Sequence, residues 1–163
     1  MALEDKIVRA DAGILEAPLA QAVVQKGGGY IGVVKGNQPE LRRALEEWLQ
    51  LRRAGEAYRP ADWHAMEKGH GRIAAWQLWQ TECDAEMPQY LHAPLGWPGV
   101  QECGWLVRRR QRGGRWEEER HVWVGGAAFA WALRAEQVVA YLRRHWAMEN
   151  GVSYVHDGWT RIA

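Results

Sequence analysis

The sequence predicts an α/β protein, and three features of the hydrophobic pattern support this class. The first sixty residues alternate short apolar runs with segments of helical periodicity. The helical period then disappears over residues 63–125, where short runs of mixed polarity are separated by glycine and proline. It returns near Ala135 and continues towards the C-terminus. Alternating strands and helices favour a parallel sheet, and the middle segment is typical of antiparallel hairpins.

The N-terminal segment predicts two strand–helix units. Residues 6–10 read as a short strand, and the helical pattern that follows ends at the Gly27-Gly28-Gly29 run. Residues 30–34 form a continuous apolar run, which suits a strand that is covered on both faces. Residues 39–53 carry apolar positions on one helical side, with Pro39 in the first turn. The order strand, helix, strand predicts a parallel crossover between the two strands.

The middle segment predicts antiparallel strands inserted between two α/β pieces. Residues 72–83 read as one strand, and residues 100–110 and 115–124 flank a glycine-containing turn, as in a hairpin. We therefore divide the chain into an α/β portion, a β-rich insertion and a C-terminal helical portion. These three segments comprise residues 1–60, 61–126 and 127–163.

Arginine residues are concentrated in the second half of the β-rich segment. The cluster comprises Arg108, Arg109, Arg110, Arg112, Arg115 and Arg120, with Trp105 and Trp116 among them. Arginine interleaved with aromatic residues is able to follow a phosphate backbone. Three glutamates at positions 117–119 partly cancel this charge. A solvated edge strand protected by its charges is the equally weighted alternative.

The C-terminal helix places a carboxylate among apolar residues. At 100° per residue, Val138, Leu142, Trp146 and Val152 share a broad stripe, and Glu149 falls inside that stripe. A carboxylate is costly to bury unless it is paired or binds a cation. Glu149 therefore needs a partner. A cation is one candidate, while snorkelling to solvent or pairing with a neighbouring side chain is the alternative that the pattern by itself favours.

A second carboxylate, Asp11, directly follows the first predicted strand. α/β proteins place site residues just beyond the carboxyl ends of their strands. From position alone, a turn or helix-capping role for this aspartate is the more common one.

Composition describes an ordinary soluble domain and excludes several classes. The chain has 163 residues, of which 47% are hydrophobic and 25% charged, and its formal net charge is +1. Any nucleic-acid binding must therefore come from local patches. Cys83 and Cys103 form no CxxC pair, which argues against a zinc site or a secreted disulfide scaffold. The sequence shows no membrane span and no signal peptide, so a reducing cytoplasm is the expected compartment.

Several short blocks, read together, indicate a family. They occupy residues 7–12, 26–30, 33–39, 68–73, 95–99 and 145–150, and they include the sequences Ile-Val-Arg-Ala-Asp-Ala and His-Trp-Ala-Met-Glu-Asn. In this order and spacing, they resemble the DDE transposases of bacterial insertion sequences. Among these transposases, the blocks resemble the ISAs-type subgroup, also called the H-repeat-associated proteins. The resemblance covers nearly the whole chain.

The resemblance implies an RNase H-like mixed sheet flanked by helices, here partial, with an antiparallel β-rich insertion. It implies three clustered carboxylates that bind Mg²⁺ or Mn²⁺ for DNA cleavage and strand transfer. Asp11 matches the second carboxylate and Glu149 the third, whereas the first lies on an upstream strand that this chain does not include. We therefore expect a truncated transposase that is inactive alone. The alternative is a catalytically dead remnant that at most binds DNA.

The resemblance and the charge pattern together suggest the remaining site residues. The candidate DNA contacts are Lys35, Arg72, Arg108, Arg110, Arg143, Arg144 and His145. His156 and Asp157 match positions of uncertain role that follow the glutamate. The implied partner is the DNA of the element's terminal repeats, and transposases of this sort act as multimers, so a homo-oligomer is expected.

Overall fold

A computed structural model describes residues 6–10, 16–36, 38–55, 59–69, 71–83 and 97–149, with the backbone alone for residues 10 and 144–149. Its strands are β1 (Ile7–Ala10), β2 (Gly29–Val34), β3 (Trp63–Gly69), β4 (Arg72–Glu82), β5 (Val100–Arg112) and β6 (Arg115–Ala127). Its helices are α1 (Ala17–Gln25), α2 (Pro39–Leu51) and α3 (Ala135–Glu149).

The six strands form one mixed sheet in the order β1-β2-β6-β5-β4-β3. β1 and β2 are parallel and are connected through α1, which confirms the predicted parallel crossover. All other neighbouring strands are antiparallel. β2 pairs with β6 along its whole length, from Gly29 opposite Ala127 to Val34 opposite Val122. The β-rich segment therefore extends the same sheet that begins with β1 and β2.

Helices cover both faces of this sheet. α1 and α2 pack on one face through a core that includes Val23, Leu45 and Val107. α3 packs on the other face, where Val138 and Leu142 contact a second apolar cluster that also contains Trp123. Because β2 contributes residues to both clusters, all six of its residues are buried. This burial explains the continuous apolar run in its sequence.

The glycine run ends α1 as predicted. The amide of Gly28 donates to the carbonyl of Val23, and the amide of Gly27 donates to the carbonyl of Val24, both at 3.0 Å. These two bonds form a Schellman motif, in which Gly27 adopts the left-handed conformation with φ 84°. The chain is thereby redirected immediately into β2.

The hairpin of β5 and β6 turns at Gly113 and Gly114, whose φ angles of 58° and 79° both need the conformational freedom of glycine. The sequence analysis did not predict β3, a strand whose inward and outward positions alternate in burial. Its inward side carries the charged residue Glu67, opposite Ala74 of β4. A carboxylate at an inward position interrupts the apolar alternation by which such a strand is recognised.

The observed architecture confirms the predicted fold class. A mixed sheet flanked by helices, with an antiparallel β-rich part, is consistent with an RNase H-like α/β fold. The division into three segments stays a prediction. Within the described ranges, no helix has both the length and the apolar composition that crossing a bilayer requires.

Gly104 of β5 lies in close contact with a tryptophan on each neighbouring strand, Trp79 of β4 and Trp123 of β6. A Cβ at this position would lie 1.8 Å from the carbonyl oxygen of Trp79 and 2.5 Å from Nε1 of Trp123. We expect Gly104→Ala to lower the free energy of unfolding by about 3 kcal/mol or more, because backbone atoms must move to admit the methyl group. Urea denaturation followed by tryptophan fluorescence measures this change.

Gly69 provides the matched control for that substitution. It also lies in a strand, but a Cβ added there meets nothing within 4 Å. Gly69→Ala should therefore change the free energy of unfolding by less than about 1 kcal/mol. Equal destabilisation by the two substitutions would contradict the packing described for Gly104.

Candidate functional site

β1, β2 and α3 run in the same direction across the sheet. Ala10, the last residue of β1, lies opposite Gly32 of β2. Near the start of α3, the carbonyl of Leu133 accepts a hydrogen bond from Nε2 of Gln80 at 2.9 Å. Further along the helix, Arg143 lies over the ring of Trp76. Trp76 precedes Gln80 by four residues in β4, and β4 runs antiparallel to β2. The C-terminal ends of β1 and α3 are thus directed towards the same end of the sheet.

This arrangement concerns the two predicted metal ligands. Asp11 follows directly after β1 but lies outside the described residues, and the side chain of Glu149, at the end of α3, lies outside them as well. The meeting of Asp11 and Glu149 at one cation therefore stays a prediction. The side chains of Arg144 and His145, and all of His156 and Asp157, also lie outside the described residues.

The residues that the structure describes contain no group of three or more His, Cys, Asp or Glu side chains that would bind a metal ion.

Arg143, a predicted DNA contact, is buried between α3 and the sheet. Its side chain is 1% exposed, and Nη2 donates to Oε1 of Glu67. Its guanidinium carbon lies 4.6 Å from the centre of the Trp76 ring, a cation–π contact. This geometry gives Arg143 a structural role, in which it attaches α3 to β3 and β4. Its contact with DNA stays a prediction, and a phosphate would reach it only if α3 moved.

The arginines inside the hairpin are bound by glutamates of the opposite strand. Arg108 is 3% exposed, and its Nη2 lies 2.7 Å from Oε2 of Glu119. Nη2 of Arg110 lies 2.7 Å from the other oxygen of Glu119 and 3.7 Å from Oε2 of Glu117. Partial burial alone would raise the pKa of Glu119, but the field of Arg108 and Arg110 lowers it below the ordinary value of a glutamate.

The other predicted DNA contacts occupy two different environments. Lys35 follows β2 and is half-buried near His121. Burial lowers the pKa of His121, and the positive charge of Lys35 acts in the same direction against the opposing field of Glu119. Arg72 begins β4 and is exposed to solvent. Of the predicted contacts whose side chains are described, Arg72 is the most accessible to a partner.

Glu102 is a buried carboxylate that the sequence analysis did not identify. Its Oε2 accepts hydrogen bonds from Nε2 of Gln80 at 2.6 Å and from Nε1 of Trp131 at 2.9 Å. Because Gln80 also donates to Leu133, these contacts attach the segment between β6 and α3 to the sheet. Burial raises the pKa of Glu102, and the two hydrogen bonds oppose this effect only in part. The signal available in the sequence was an acidic residue inside the mainly apolar first part of β5, residues 100–107.

Curated proteins with similar sequences point to the transposases. "H repeat-associated putative transposase YhhI" of Escherichia coli (strain K12) is 26% identical over 155 residues, which cover 95% of this chain and 40% of that protein. "Putative protein YbfL" of the same organism is 28% identical over 156 residues, with the same coverage of each chain. "H repeat-associated putative transposase YbfD" is 33% identical over 70 residues, which are 43% of this chain.

No family model matches the chain, and no solved structure matches it. The fold and the alignments nevertheless define a class, that of a mixed α/β protein similar in sequence to putative transposases. Within that class, the chain is similar to the H repeat-associated putative transposases. It spans about 40% of the length of the first two curated relatives.

The Arg143–Glu67 pair predicts an asymmetric response to substitution. Glu67→Gln removes counter-charge from a guanidinium that is almost fully buried, and we expect it to cost about 3 kcal/mol of unfolding free energy. Arg143→Met leaves behind a carboxylate that is 34% exposed and fills the space with an apolar chain, so a smaller loss is expected. Urea denaturation of both variants tests this order, and a larger loss in Arg143→Met would contradict it.

Glu102 predicts a pH dependence of stability with a defined sign. Since its pKa is raised in the folded protein, folding favours the protonated acid. The associated stability is present below the unfolded pKa of about 4.3 and is lost as pH rises through the folded pKa. Glu102→Gln keeps an oxygen that accepts from Gln80 and Trp131 but does not ionise. Relative to the native chain, this variant should therefore gain stability between pH 4 and pH 7.

Urea denaturation across this pH range measures the difference between the two proteins. Glu46→Gln on α2, a partly exposed position paired with Arg42, serves as the control for losing one carboxylate. A constant difference between Glu102→Gln and the native chain at all pH values would contradict the assigned environment of Glu102.

Proposed function

We propose that this chain is the part of a DNA transposase that carries two of its three metal-binding carboxylates. The reaction is cleavage and strand transfer at the phosphodiester bonds of an insertion sequence. The observation that carries the proposal is the similarity to "H repeat-associated putative transposase YhhI" over 95% of the chain. The mixed α/β sheet with helices on both faces is consistent with it.

In this proposal, Asp11 and Glu149 bind Mg²⁺ or Mn²⁺ through their carboxylate oxygens. Oxygen donors suit either ion, and magnesium sites in such enzymes share their ligands with substrate phosphates. Support comes from the backbone, because β1 and α3 are directed towards the same end of the sheet. When bound, the metal lowers the pKa of a water or a 3′-hydroxyl and stabilises the leaving oxygen.

The partner in this proposal is the DNA of the element's terminal repeats, which a multimer of the whole protein brings together. Arg72 is exposed at one end of the sheet and Lys35 follows the C-terminal end of β2, so both occupy positions from which a cation reaches a phosphate. The proposal includes Arg144 and His145 as further contacts on the helix that carries Glu149.

A second candidate function is DNA binding without catalysis. It is favoured by the donor set, because Asp11 and Glu149 are two carboxylates, whereas the resemblance to DDE transposases implies three. In that case, the lysine and arginine side chains of the protein would bind DNA, and the DNA would not be cleaved. The two candidates differ in whether DNA processing depends on Asp11, Glu149 and a divalent ion.

Manganese binding tests the proposed ligands directly on the 163-residue chain. We expect Mn²⁺ binding, measured by electron paramagnetic resonance, to weaken at least about tenfold in Asp11→Asn and in Glu149→Gln, because each variant removes one charged ligand. Glu136→Gln is the control, since Glu136 lies in the first turn of the same helix and pairs with Arg134. Binding that none of the three substitutions weakens would remove Asp11 and Glu149 from the metal site.

A cleavage assay tests the reaction. With the upstream region of a relative supplied by fusion, Mg²⁺- or Mn²⁺-dependent nicking of terminal-repeat DNA is expected, and Glu149→Ala should abolish it. Nicking retained in Glu149→Ala would exclude the assigned role of this residue. DNA binding without any metal-dependent nicking would support the second candidate.

A further inference from the structure

Three of the six arginines of the hairpin have their charge neutralised by glutamates within the sheet. In the ladder between β5 and β6, Arg108 lies opposite Glu119, Arg109 opposite Glu118 and Arg110 opposite Glu117. The shortest nitrogen–oxygen distances of these arginines to the opposite strand are 2.7 Å, 2.9 Å and 2.7 Å. Three successive pairs of opposite charge stabilise the hairpin and leave little net charge for a partner.

The next pair of charged residues along the hairpin does not combine opposite charges. Arg112 lies opposite Arg115, so two positive charges face each other across the strands. On the adjacent strand β4, Ile73 lies opposite Gln111. Because β4 and β5 are antiparallel, Arg72, which precedes Ile73, lies beside Arg112. All three arginines are exposed, and none forms a salt bridge with another described residue. We name this group, Arg72, Arg112 and Arg115, the arginine tip.

The arginine tip is electrostatically unfavourable in the protein alone. Like charges directly opposite each other destabilise a strand pair, and here a third guanidinium adjoins them. The repulsion is removed when an anion binds between the side chains. Three neighbouring strands span about 10 Å, so the group suits a row of negative charges better than one small ion. Guanidinium groups bind phosphate oxygens through two parallel hydrogen bonds.

On these grounds we propose that the arginine tip binds the phosphate backbone of duplex DNA. This inference rests on the proposed function, which supplies DNA as the partner, and it adds a defined contact surface. Arg112 and Arg115 then have a binding role, while the internal arginines Arg108 and Arg110 have a structural one.

The position of the tip agrees with this role. Arg108, Arg110 and Arg112 alternate along β5 on the face that carries α3, where Arg108 lies over Trp76. Across the sheet, Ala10 pairs with Gly32, Gly32 pairs with Val124, and Val124 pairs with Cys103. Ala10 and Cys103 therefore lie at the same height along their strands. From Cys103 to Arg112 is nine residues of β5, which is about 30 Å or roughly nine base pairs of DNA. A duplex bound at the end of β1 would extend far enough to contact the tip.

Salt-dependent binding of DNA tests the proposal on the 163-residue chain. The probe is a fluorescently labelled 30-base-pair duplex of arbitrary sequence, titrated between 50 and 200 mM NaCl. We expect Arg112→Gln/Arg115→Gln to reduce the slope of log affinity against log salt by about 2, since each phosphate contact contributes about 0.9. At 0.1 M salt, this corresponds to roughly a 60-fold loss of affinity.

The control removes the same net charge from salt-bridged positions. Arg42→Gln/Arg109→Gln breaks the ion pairs with Glu46 and Glu118 and should leave the slope unchanged. A second readout is stability, because the tip variant loses a like-charge pair and should unfold at the same or a slightly higher urea concentration than the native chain. This measurement excludes misfolding as the cause of weaker binding.

The outcomes separate this inference from the proposed function. DNA binding by the native chain with an unchanged slope in the tip variant would overturn the arginine tip and leave DNA as the partner. An equal loss of slope in the control would also overturn it, since total charge would then explain the binding. No DNA binding by the native chain at any salt concentration would overturn both the tip and the proposed partner.

Discussion

The antiparallel pairing of β2 with β6 is the constraint on which the rest of the structure depends. β2 is the second strand of the parallel pair, and β6 is the last strand of the β-rich segment. Their six residue pairs join the two parts into one sheet. They also place β2 in the interior, where it contributes to the apolar cores on both faces. α3 follows β6 directly in the chain, so this pairing also determines where the helix crosses the sheet.

Charge in this protein has two separate uses, and the structure distinguishes them. Arg108 and Arg143 are almost fully buried, lie over Trp76 and are paired with Glu119 and Glu67. Buried guanidiniums of this kind need partners of good geometry, and the Arg143–Glu67 pair attaches α3 to β3. The arginines at the end of the hairpin are exposed and have no carboxylate partner among the residues that the structure describes. The first group stabilises the fold, and the second is available to a polyanion.

Much of the architecture was predictable because local signals agreed with it. The parallel strands, the three helices, the glycine stop after α1 and the β5–β6 hairpin all follow patterns of polarity and turn residues. β3 was missed because Glu67 occupies an inward position, where its partner Arg143 is 76 residues away in sequence. Glu102 was missed for the same reason, since a strand pattern gives no information about the Gln80 and Trp131 donors that accommodate its carboxylate. For the predicted ligands, the backbone directions of β1 and α3 are known, and the contact of Asp11 with Glu149 stays a prediction.

The sequence by itself determined the α/β class, the order of the elements and the resemblance to transposases. These properties depend on periodicity and on short residue blocks, which are local along the chain. The tertiary structure alone decided which charges are neutralised, because salt bridges depend on strand register. It also brought Cys83 and Cys103, twenty residues apart in the chain, to a sulfur–sulfur distance of 3.7 Å as free thiols. Proximity between distant residues follows from how strands pair and helices pack, and no local pattern encodes it.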